Sequence, residues 1–266
     1  MNNLVLKSRP PWRWAFLGGA AGVLAATVFF APAAWLGKAL TFSTQGRVVL
    51  NDPAGTIWNG SGRLVLSGGL GSRDATSLPG QVHWRLKPTP GLKLRALINA
   101  DCCITQSINV LLIPHFSGLS AQVQASESIW PATLLTGLGA PFNTIDLQAI
   151  LKLNTQVITL KWLNKALKLE GSASLDVIDA STRLSTLRPV GSYRLSFQGA
   201  QETTPPSLNL ETLSGSLLLS GSGQWNGSRW RFNGEASAAP GFEAALSNFL
   251  DILGRRVGPR SIITLG

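Results

Sequence analysis

The chain is poor in the residues on which most enzyme and metal sites depend. Its 266 residues include two histidines, two cysteines and one tyrosine, and only 14% of them are charged. His83 and His115 have no carboxylate or serine at the spacing of a known catalytic motif, and no phosphate-binding glycine loop occurs. Asp176 and Asp179 are close in sequence, but such a spacing is typical of solvated carboxylates. We therefore predict a protein that is not an enzyme, with no catalytic, cofactor-binding or metal-ligating residues.

The two cysteines are neighbours, Cys102 and Cys103. In an extended strand their side chains point to opposite faces, and a bridge between them requires an unusual backbone. We therefore expect no disulfide-stapled scaffold, and predict that one thiol is buried as a small apolar group. A redox or intermolecular role is the alternative, and the sequence assigns neither.

Charge is absent from the 23-residue stretch Trp14–Leu36. As a helix this stretch is about 34 Å long, enough to cross a hydrocarbon core of roughly 30 Å. Trp12 and Trp35 lie near its ends, where indoles prefer the membrane interface. The pattern predicts a single transmembrane helix over residues 14–36.

Acidic residues are absent before Asp52, whereas basic residues precede the apolar stretch: Lys7, Arg9 and Arg13. The positive-inside rule then places residues 1–13 in the cytoplasm and residues 37–266 across the membrane. A cleaved signal peptide is the alternative, because Ala31-Pro32-Ala33 has the form of a cleavage site after Ala33. The length of the apolar stretch and the flanking tryptophans favour an uncleaved anchor, and both interpretations leave the body on the same side.

The body shows apolar and polar residues in alternation, with glycine, proline, serine or asparagine between the segments. This pattern is typical of antiparallel strands with one solvated face, and no long helical patterns alternate with it as in a parallel sheet. We predict a mainly β fold, with strands at Gln81–Leu86, Leu92–Ala96, Ala166–Val177, Tyr193–Gln198, Leu208–Leu213, Leu217–Trp225, Trp230–Ser237 and Ser261–Leu265.

Two Trp-Asn-Gly-Ser tetrapeptides, Trp58–Ser61 and Trp225–Ser228, carry the strongest turn signal in the chain. Asn-Gly favours a type I′ hairpin turn, because both residues tolerate positive φ. We predict a tight hairpin at each copy, with its tryptophan packed on the sheet just before the turn.

Two helices are predicted to interrupt the strands. A short one follows Trp130-Pro131, since proline suits the first turn of a helix. The second covers Phe242–Leu253, where apolar residues recur at helical spacing. Its polar face has the acids Glu243 and Asp251 and no base, which favours a helix that caps the sheet over one that seeks a membrane.

The formal net charge of +10 bears on the choice of partners. An excess of basic residues favours anionic lipid headgroups or an acidic protein. Nucleic acid is not predicted, because the basic residues are scattered and do not alternate with aromatic ones.

The order of several short motifs resembles general secretion pathway protein N, of the type II secretion system protein N family, over nearly the whole chain. The motifs are Pro32-Ala33-Ala34-Trp35-Leu36, Gly55-Thr56-Ile57-Trp58-Asn59-Gly60, Leu78-Pro79-Gly80, Trp84-Arg85-Leu86, Trp130-Pro131-Ala132, Leu138-Gly139-Ala140-Pro141-Phe142-Asn143-Thr144, Arg188-Pro189-Val190-Gly191-Ser192-Tyr193, Leu213-Ser214-Gly215-Ser216-Leu217, Trp230-Arg231-Phe232-Asn233-Gly234 and Leu253-Gly254-Arg255-Arg256.

The resemblance implies a single-pass inner-membrane protein with a cytoplasmic N-terminus and a periplasmic β-rich domain over residues 37–266. It implies a structural, scaffolding role in the export of folded proteins across the outer membrane. The implied partners are other inner-membrane subunits of the system and, as a further candidate, the outer-membrane secretin. No catalytic residues or cofactors come with the resemblance.

A lipid-binding protein is the alternative function. A long, curved antiparallel sheet with one apolar face resembles AsmA-like envelope proteins, which are linked to lipid movement. A continuous apolar groove open to the membrane favours lipid binding or transport, whereas a filled core with a free edge strand favours scaffolding.

Overall fold

A computed structural model describes residues 12–164, 166–201 and 204–266. The described residues form four α-helices and one 3₁₀ helix: α1 (Trp12–Phe29), α2 (Ala33–Ser43), the 3₁₀ helix (Ala132–Leu138), α3 (Phe142–Ile145) and α4 (Glu243–Leu253). They also form the strands β1 (Val48–Gly55), β2 (Asn59–Ser67), β3 (Ala75–Ser77), β4 (Val82–Thr89), β5 (Lys93–Ala100), β6 (Ile108–His115), β7 (Gly118–Val123), β8 (Ser126–Pro131), β9 (Gln148–Thr155), β10 (Ile158–Leu163), β11 (Ala166–Glu170), β12 (Ser172–Ser181), β13 (Gly191–Gln198), β14 (Ser207–Gly215), β15 (Leu217–Trp225), β16 (Trp230–Ala238), β17 (Arg255–Val257) and β18 (Arg260–Leu265).

The strands form two antiparallel sheets, which confirms the mainly β fold class. In sheet 1 the order is β1-β2-β4-β5-β6-β7-β10-β11, with β3 beside β2. In sheet 2 it is β17-β18-β16-β15-β14-β13-β12-β9-β8. Most neighbours are consecutive in the chain, as in a meander of hairpins.

Three long stretches of chain run from one sheet into the other. β7 leads into β8, β9 into β10, and β11 into β12, and in each case at most two residues lie between the strands. The predicted strand Ala166–Val177 is therefore divided at Gly171, whose φ is +100°. A Cβ atom there meets the carbonyl oxygen of Val157, so the bend needs glycine.

The N-terminal segment differs from the prediction. The chain leaves helical conformation between Phe29 and Ala33, so the continuous helix predicted over 14–36 is wrong. Pro32 is extended at φ −70°, ψ 146° and forms a β-bridge with Thr56, and proline has no N–H to continue the preceding helix. Among the described residues, no helix combines the length and the apolar character needed to cross a membrane. Residues 1–11 of the predicted cytoplasmic segment lie outside the described residues.

Three apolar clusters show where the helices pack. The predicted C-terminal helix is confirmed as α4, which buries Leu246 and Leu250 against sheet 2. The helix predicted after Pro131 is a 3₁₀ helix that packs Leu134 on the buried Leu78 of sheet 1. Helix α2, which was not predicted, covers β1 and buries Leu50.

The two Asn-Gly sequences differ in outcome. Asn226-Gly227 lies in the loop between β15 and β16, where the Asn226 side-chain oxygen accepts the backbone N–H of Arg229 at 2.9 Å. The loop is longer than the predicted two-residue turn, and Trp225 packs edge-to-face on Trp230 beside it. The tight turn predicted at the first copy is wrong, because Gly60 lies within β2. A Cβ on Gly60 falls 2.6 Å from the Trp84 ring, so this glycine makes room for a buried indole.

The cysteine prediction is also corrected. Cys102 and Cys103 are bonded to each other, in the turn after β5 rather than in an extended strand. Their side chains are therefore not held on opposite faces. Cys103 is buried against Leu78 and Ala100, as expected for one member of the pair.

Candidate docking surfaces

The polar side chains of the described residues assemble into pairs. His83 Nε2 lies 3.3 Å from Asp101 Oδ1, with both side chains about half exposed. His115 Nε2 lies 2.9 Å from the hydroxyl oxygen of Ser120. Asp101 directly follows β5, which pairs with the strand of His83, and Ser120 lies on β7, which pairs with the strand of His115. These contacts depend on strand pairing, so the spacing of the residues in the sequence does not reveal them. No group of three or more His, Cys, Asp or Glu side chains that could hold a metal ion occurs among the described residues.

An ion pair with a largely buried carboxylate lies within sheet 2. Arg194 on β13 donates from Nε and Nη2 to the two carboxylate oxygens of Asp176 on β12, at 2.7 and 2.8 Å. These hydrogen bonds lower the pKa of Asp176 although burial acts in the opposite direction, and Lys152 adds a smaller attraction. Asp176 is thus buried and paired, not solvated as its sequence spacing indicated. The pair joins register partners and has a structural role.

An open groove of about 810 Å³ lies where α2 meets β1. Gly37 of α2 faces β1 in this groove, and a Cβ at this position would be in ordinary contact with the carbonyl oxygen of Leu50, at 3.4 Å. The groove is lined by Ala34, Gly37, Lys38, Thr41, Phe42, Ser43, Gln45, Leu50, Pro53 and Leu70. Phe42 projects from the helix with 87% of its surface exposed.

Strand β1 ends sheet 1, with β2 as its neighbour on one side. Its other edge is partly closed, because Thr44 Oγ1 accepts the N–H of Val48 at 3.1 Å and a β-bulge that contains Pro53 interrupts the strand between Asn51 and Ala54. An edge strand presents backbone donors and acceptors to an incoming strand, and an apolar groove beside it accepts alternate side chains. The α2–β1 groove is therefore an apolar surface beside a sheet edge that is only partly open.

A second surface is the apolar face of sheet 1. Helix α2 packs on β1 and β2, and the 3₁₀ helix packs on β2 and β3, so these helices cover the part of the face that is formed by the first strands of the sheet. The same face continues across β6, β7, β10 and β11, at the other end of the strand order. There Leu119, Trp162 and Leu167 are cross-strand neighbours with 45%, 61% and 67% of their surfaces exposed. Exposed apolar rows of this kind mark docking or ligand surfaces.

The fold and these surfaces define an antiparallel β protein with sites suited to apolar partners. The family model for the type II secretion system (T2SS), protein N, matches residues 46–263. The chain belongs to this family, which confirms the resemblance seen in the sequence. Comparisons with curated proteins and with solved structures gave no match.

Family membership indicates a role in type II secretion and interaction with other components of that system. It also implies a membrane-associated protein. The matched residues begin after α2 and include nearly all of both sheets, so the family assignment applies to the β body of the chain.

Proposed function

We propose that the chain is an inner-membrane-anchored scaffold of the type II secretion system, and that it acts by contact and not by catalysis. The N-terminus lies in the cytoplasm and the β body in the periplasm. The family match over residues 46–263 is the observation that carries the proposal.

The anchor in this proposal is the segment of α1. Its apolar side chains are exposed, and their surfaces are of the kind that lipid tails solvate: Trp14, Phe16, Leu17, Val23, Leu24, Val28 and Phe29. The basic residues Lys7, Arg9 and Arg13, which precede the apolar stretch, support the cytoplasmic N-terminus. Tethering restricts the body to a layer at the membrane and raises its effective concentration for partners there.

The end of α1 is held by the first hairpin of sheet 1. Trp58 Nε1 donates to the carbonyl oxygen of Val28 at 2.7 Å, and the Ile57 N–H donates to that of Ala31 at 2.9 Å. The helix is thus joined to the sheet by hydrogen bonds as well as by the chain. We propose that these contacts orient the body relative to the membrane.

The partner in this proposal is an apolar segment of another inner-membrane subunit, bound in the α2–β1 groove. A photoreactive amino acid placed at Phe42 of the full chain tests it in secreting cells. We expect a crosslink to a secretion subunit from position 42, and none from the exposed Ile252 of α4. Equal crosslinking from both positions contradicts the site.

The anchor is tested separately. In a full chain with alkaline phosphatase fused after Gly266, we expect the phosphatase to be active, as it is in the periplasm. We also expect this fusion protein to resist extraction from membranes by carbonate. Deletion of residues 12–29 behind a cleavable export signal is expected to release a folded body into the periplasm. Retention of the body in the membrane, or an inactive fusion, contradicts the proposed topology.

Lipid binding remains the second candidate function, and the exposed row Leu119, Trp162 and Leu167 favours it. The purified chain is then expected to carry phospholipid after detergent exchange, detected by mass spectrometry. Trp162→Ser is expected to reduce the bound lipid several-fold, whereas Ile252→Ser on α4 leaves it unchanged.

A further inference from the structure

Four turns of sheet 1 lie at the same end of the sheet, here called the hairpin end. They are the turns between β1 and β2, β4 and β5, β6 and β7, and β10 and β11. The register requires this arrangement, because Asn59 pairs with Arg85, and Gly118 pairs with both His115 and Leu163. In an antiparallel meander, every second connection lies at the same end of the sheet.

The apolar helix α1 meets the body at this end. Its last turn is hydrogen-bonded to Ile57 and Trp58, which form the turn between β1 and β2. If α1 lies in the membrane, as proposed above, the hairpin end is the part of sheet 1 nearest to the bilayer.

The hairpin end also presents apolar side chains. Leu92 in the β4–β5 turn has 87% of its surface exposed, and Phe116 in the β6–β7 turn is fully exposed. Trp162 and Leu167 form a cross-strand pair next to the β10–β11 turn at the same end. Aromatic and aliphatic side chains on protruding turns are suited to the boundary between headgroups and acyl chains.

The charge of three of these hairpins is strongly one-sided, whereas the β1–β2 hairpin carries Asp52 and Arg63. Residues 82–100, 108–123 and 158–170 contain the single acid Glu170, whose carboxylate accepts hydrogen bonds from Lys161 at 2.7 and 2.8 Å. The described basic residues of these hairpins are Arg85, Lys87, Lys93, Arg95, Lys161 and Lys168. The opposite end of sheet 1 carries Asp74 and Asp101 as well as Arg47 and Arg73. The register places the basic residues of the three hairpins on the strands near the turns, on the face of sheet 1 opposite to Trp162 and Leu167. Basic strands beside apolar turns match an anionic membrane surface.

We propose that the hairpin end rests on the anionic periplasmic surface of the inner membrane, with Leu92 and Phe116 in the interface. This inference rests on the proposed anchor. A lipid surface is favoured over a protein partner because apolar turns, basic residues and the entry of α1 coincide at one end. The open apolar row on β7, β10 and β11 then begins at the bilayer.

The experiment places p-benzoylphenylalanine at one position of the full chain in nanodiscs of phosphatidylethanolamine and phosphatidylglycerol. Position 116 tests the hairpin end and position 23 tests α1. Position 70 is the control, since Leu70 is also strongly exposed but lies near Gly46, beyond the far end of α2. After illumination, lipid adducts are counted by intact mass. We expect adducts at 116 and 23, and at least about fivefold fewer at 70.

The outcomes separate the two proposals. Adducts at 23 without adducts at 116 overturn this inference and leave the anchor intact. Adducts at 116 without adducts at 23 overturn the anchor, and with it the placement of the hairpin end by α1. Nanodiscs of phosphatidylcholine alone are expected to lower the yield at 116 by about fivefold, and an unchanged yield overturns the role of the basic residues. If position 116 crosslinks in cells to a protein and not to lipid, the proposed contact of the hairpin end with the bilayer is wrong.

Discussion

Asp176 is the charged residue most dependent on its neighbours. Its carboxylate is largely removed from water, and a buried charge is costly unless it is paired and hydrogen-bonded. Arg194 satisfies both oxygens and lowers the pKa of Asp176 below its ordinary value. Loss of the negative charge at this position leaves Arg194 with a much weaker partner and weakens the contact between β12 and β13.

We expect Asp176→Asn to lower the Tm of the full chain in detergent by about 2–4 °C at neutral pH. The pKa of the carboxyl is lower in the folded than in the unfolded chain, where it is near 3.8. Its stabilising contribution is therefore complete above that unfolded value and is lost as the pH falls through the lower folded value. The Tm difference between wild type and variant is expected to shrink below pH 3.8.

Glu235→Gln is the matched control, because Glu235 pairs with Arg260 in the same sheet but both side chains are exposed. Exposed ion pairs contribute little to stability, so we expect a smaller change in Tm. Equal effects of the two substitutions contradict the importance of the buried pair.

The bonded cysteines have a direct chemical test. The purified chain, denatured without a reductant, is expected to take up no iodoacetamide, because the two cysteines are bonded to each other. After reduction it takes up two equivalents, which serves as the control. Labelling before reduction, or a disulfide-linked dimer, shows that the neighbours are not bonded in the protein.

At the scale of whole elements, α4 closes one apolar face of sheet 2. Leu246 and Leu250 are completely buried there, with Tyr193, Leu217 and Ala236 in the same cluster. The opposite side of the helix, which carries Glu243 and Asp251, is exposed, as its acidic polar face predicted. A cap of this kind stabilises the sheet through the apolar area that it removes from water.

We expect Leu246→Ala to lower the free energy of unfolding by about 2–5 kcal/mol, because it leaves a cavity between α4 and the sheet. Urea denaturation followed by circular dichroism measures the change. Ile252→Ala on the exposed side of the same helix is the control, and its effect is expected to stay below about 0.5 kcal/mol. Similar losses for both variants contradict the capping role of α4.

Strand prediction from the sequence succeeded where one face is solvated, and failed elsewhere. Leu217–Trp225 alternates and forms β15 as predicted. Ile108–His115 was missed because its long apolar run hides the period of two. The bend at Gly171 depends on a contact with Val157, which is distant in the chain. The break at Pro32 was readable from the sequence, because proline cannot continue a helix, and the prediction of one continuous helix overlooked it.

The candidate docking surfaces were harder to predict than the strands. The α2–β1 groove requires knowing that residues 33–43 form a separate helix that lies on β1. The sequence placed the beginning of that helix inside a continuous transmembrane segment. The hairpin end likewise depends on register, because Leu92, Phe116 and Trp162 belong to three different hairpins. From the sequence, a free edge strand and an apolar groove were named only as the features that separate scaffolding from lipid binding, without residues assigned to either.

The whole molecule is held together by the stretches of chain shared between the two sheets. β7–β8, β9–β10 and β11–β12 each contribute to both sheets, so sheet 1 cannot unfold fully without disturbing three strands of sheet 2. Two domains joined by one flexible linker lack this coupling. We infer that the β body unfolds as one cooperative unit.

That coupling predicts that damage to sheet 2 is felt in sheet 1. The direct effect of Leu246→Ala is confined to sheet 2, because α4 packs on β16, β17 and β18. If both sheets open together, the slowest-exchanging amides of β4 and β5 lose protection by the same free energy as the whole protein. Hydrogen exchange of the full chain in detergent, resolved by peptide, measures this loss, and calorimetry is expected to show a single transition for the β body. Unchanged protection in β4 and β5, beside faster exchange in β15 and β16, means that the shared strands bend without coupling the sheets.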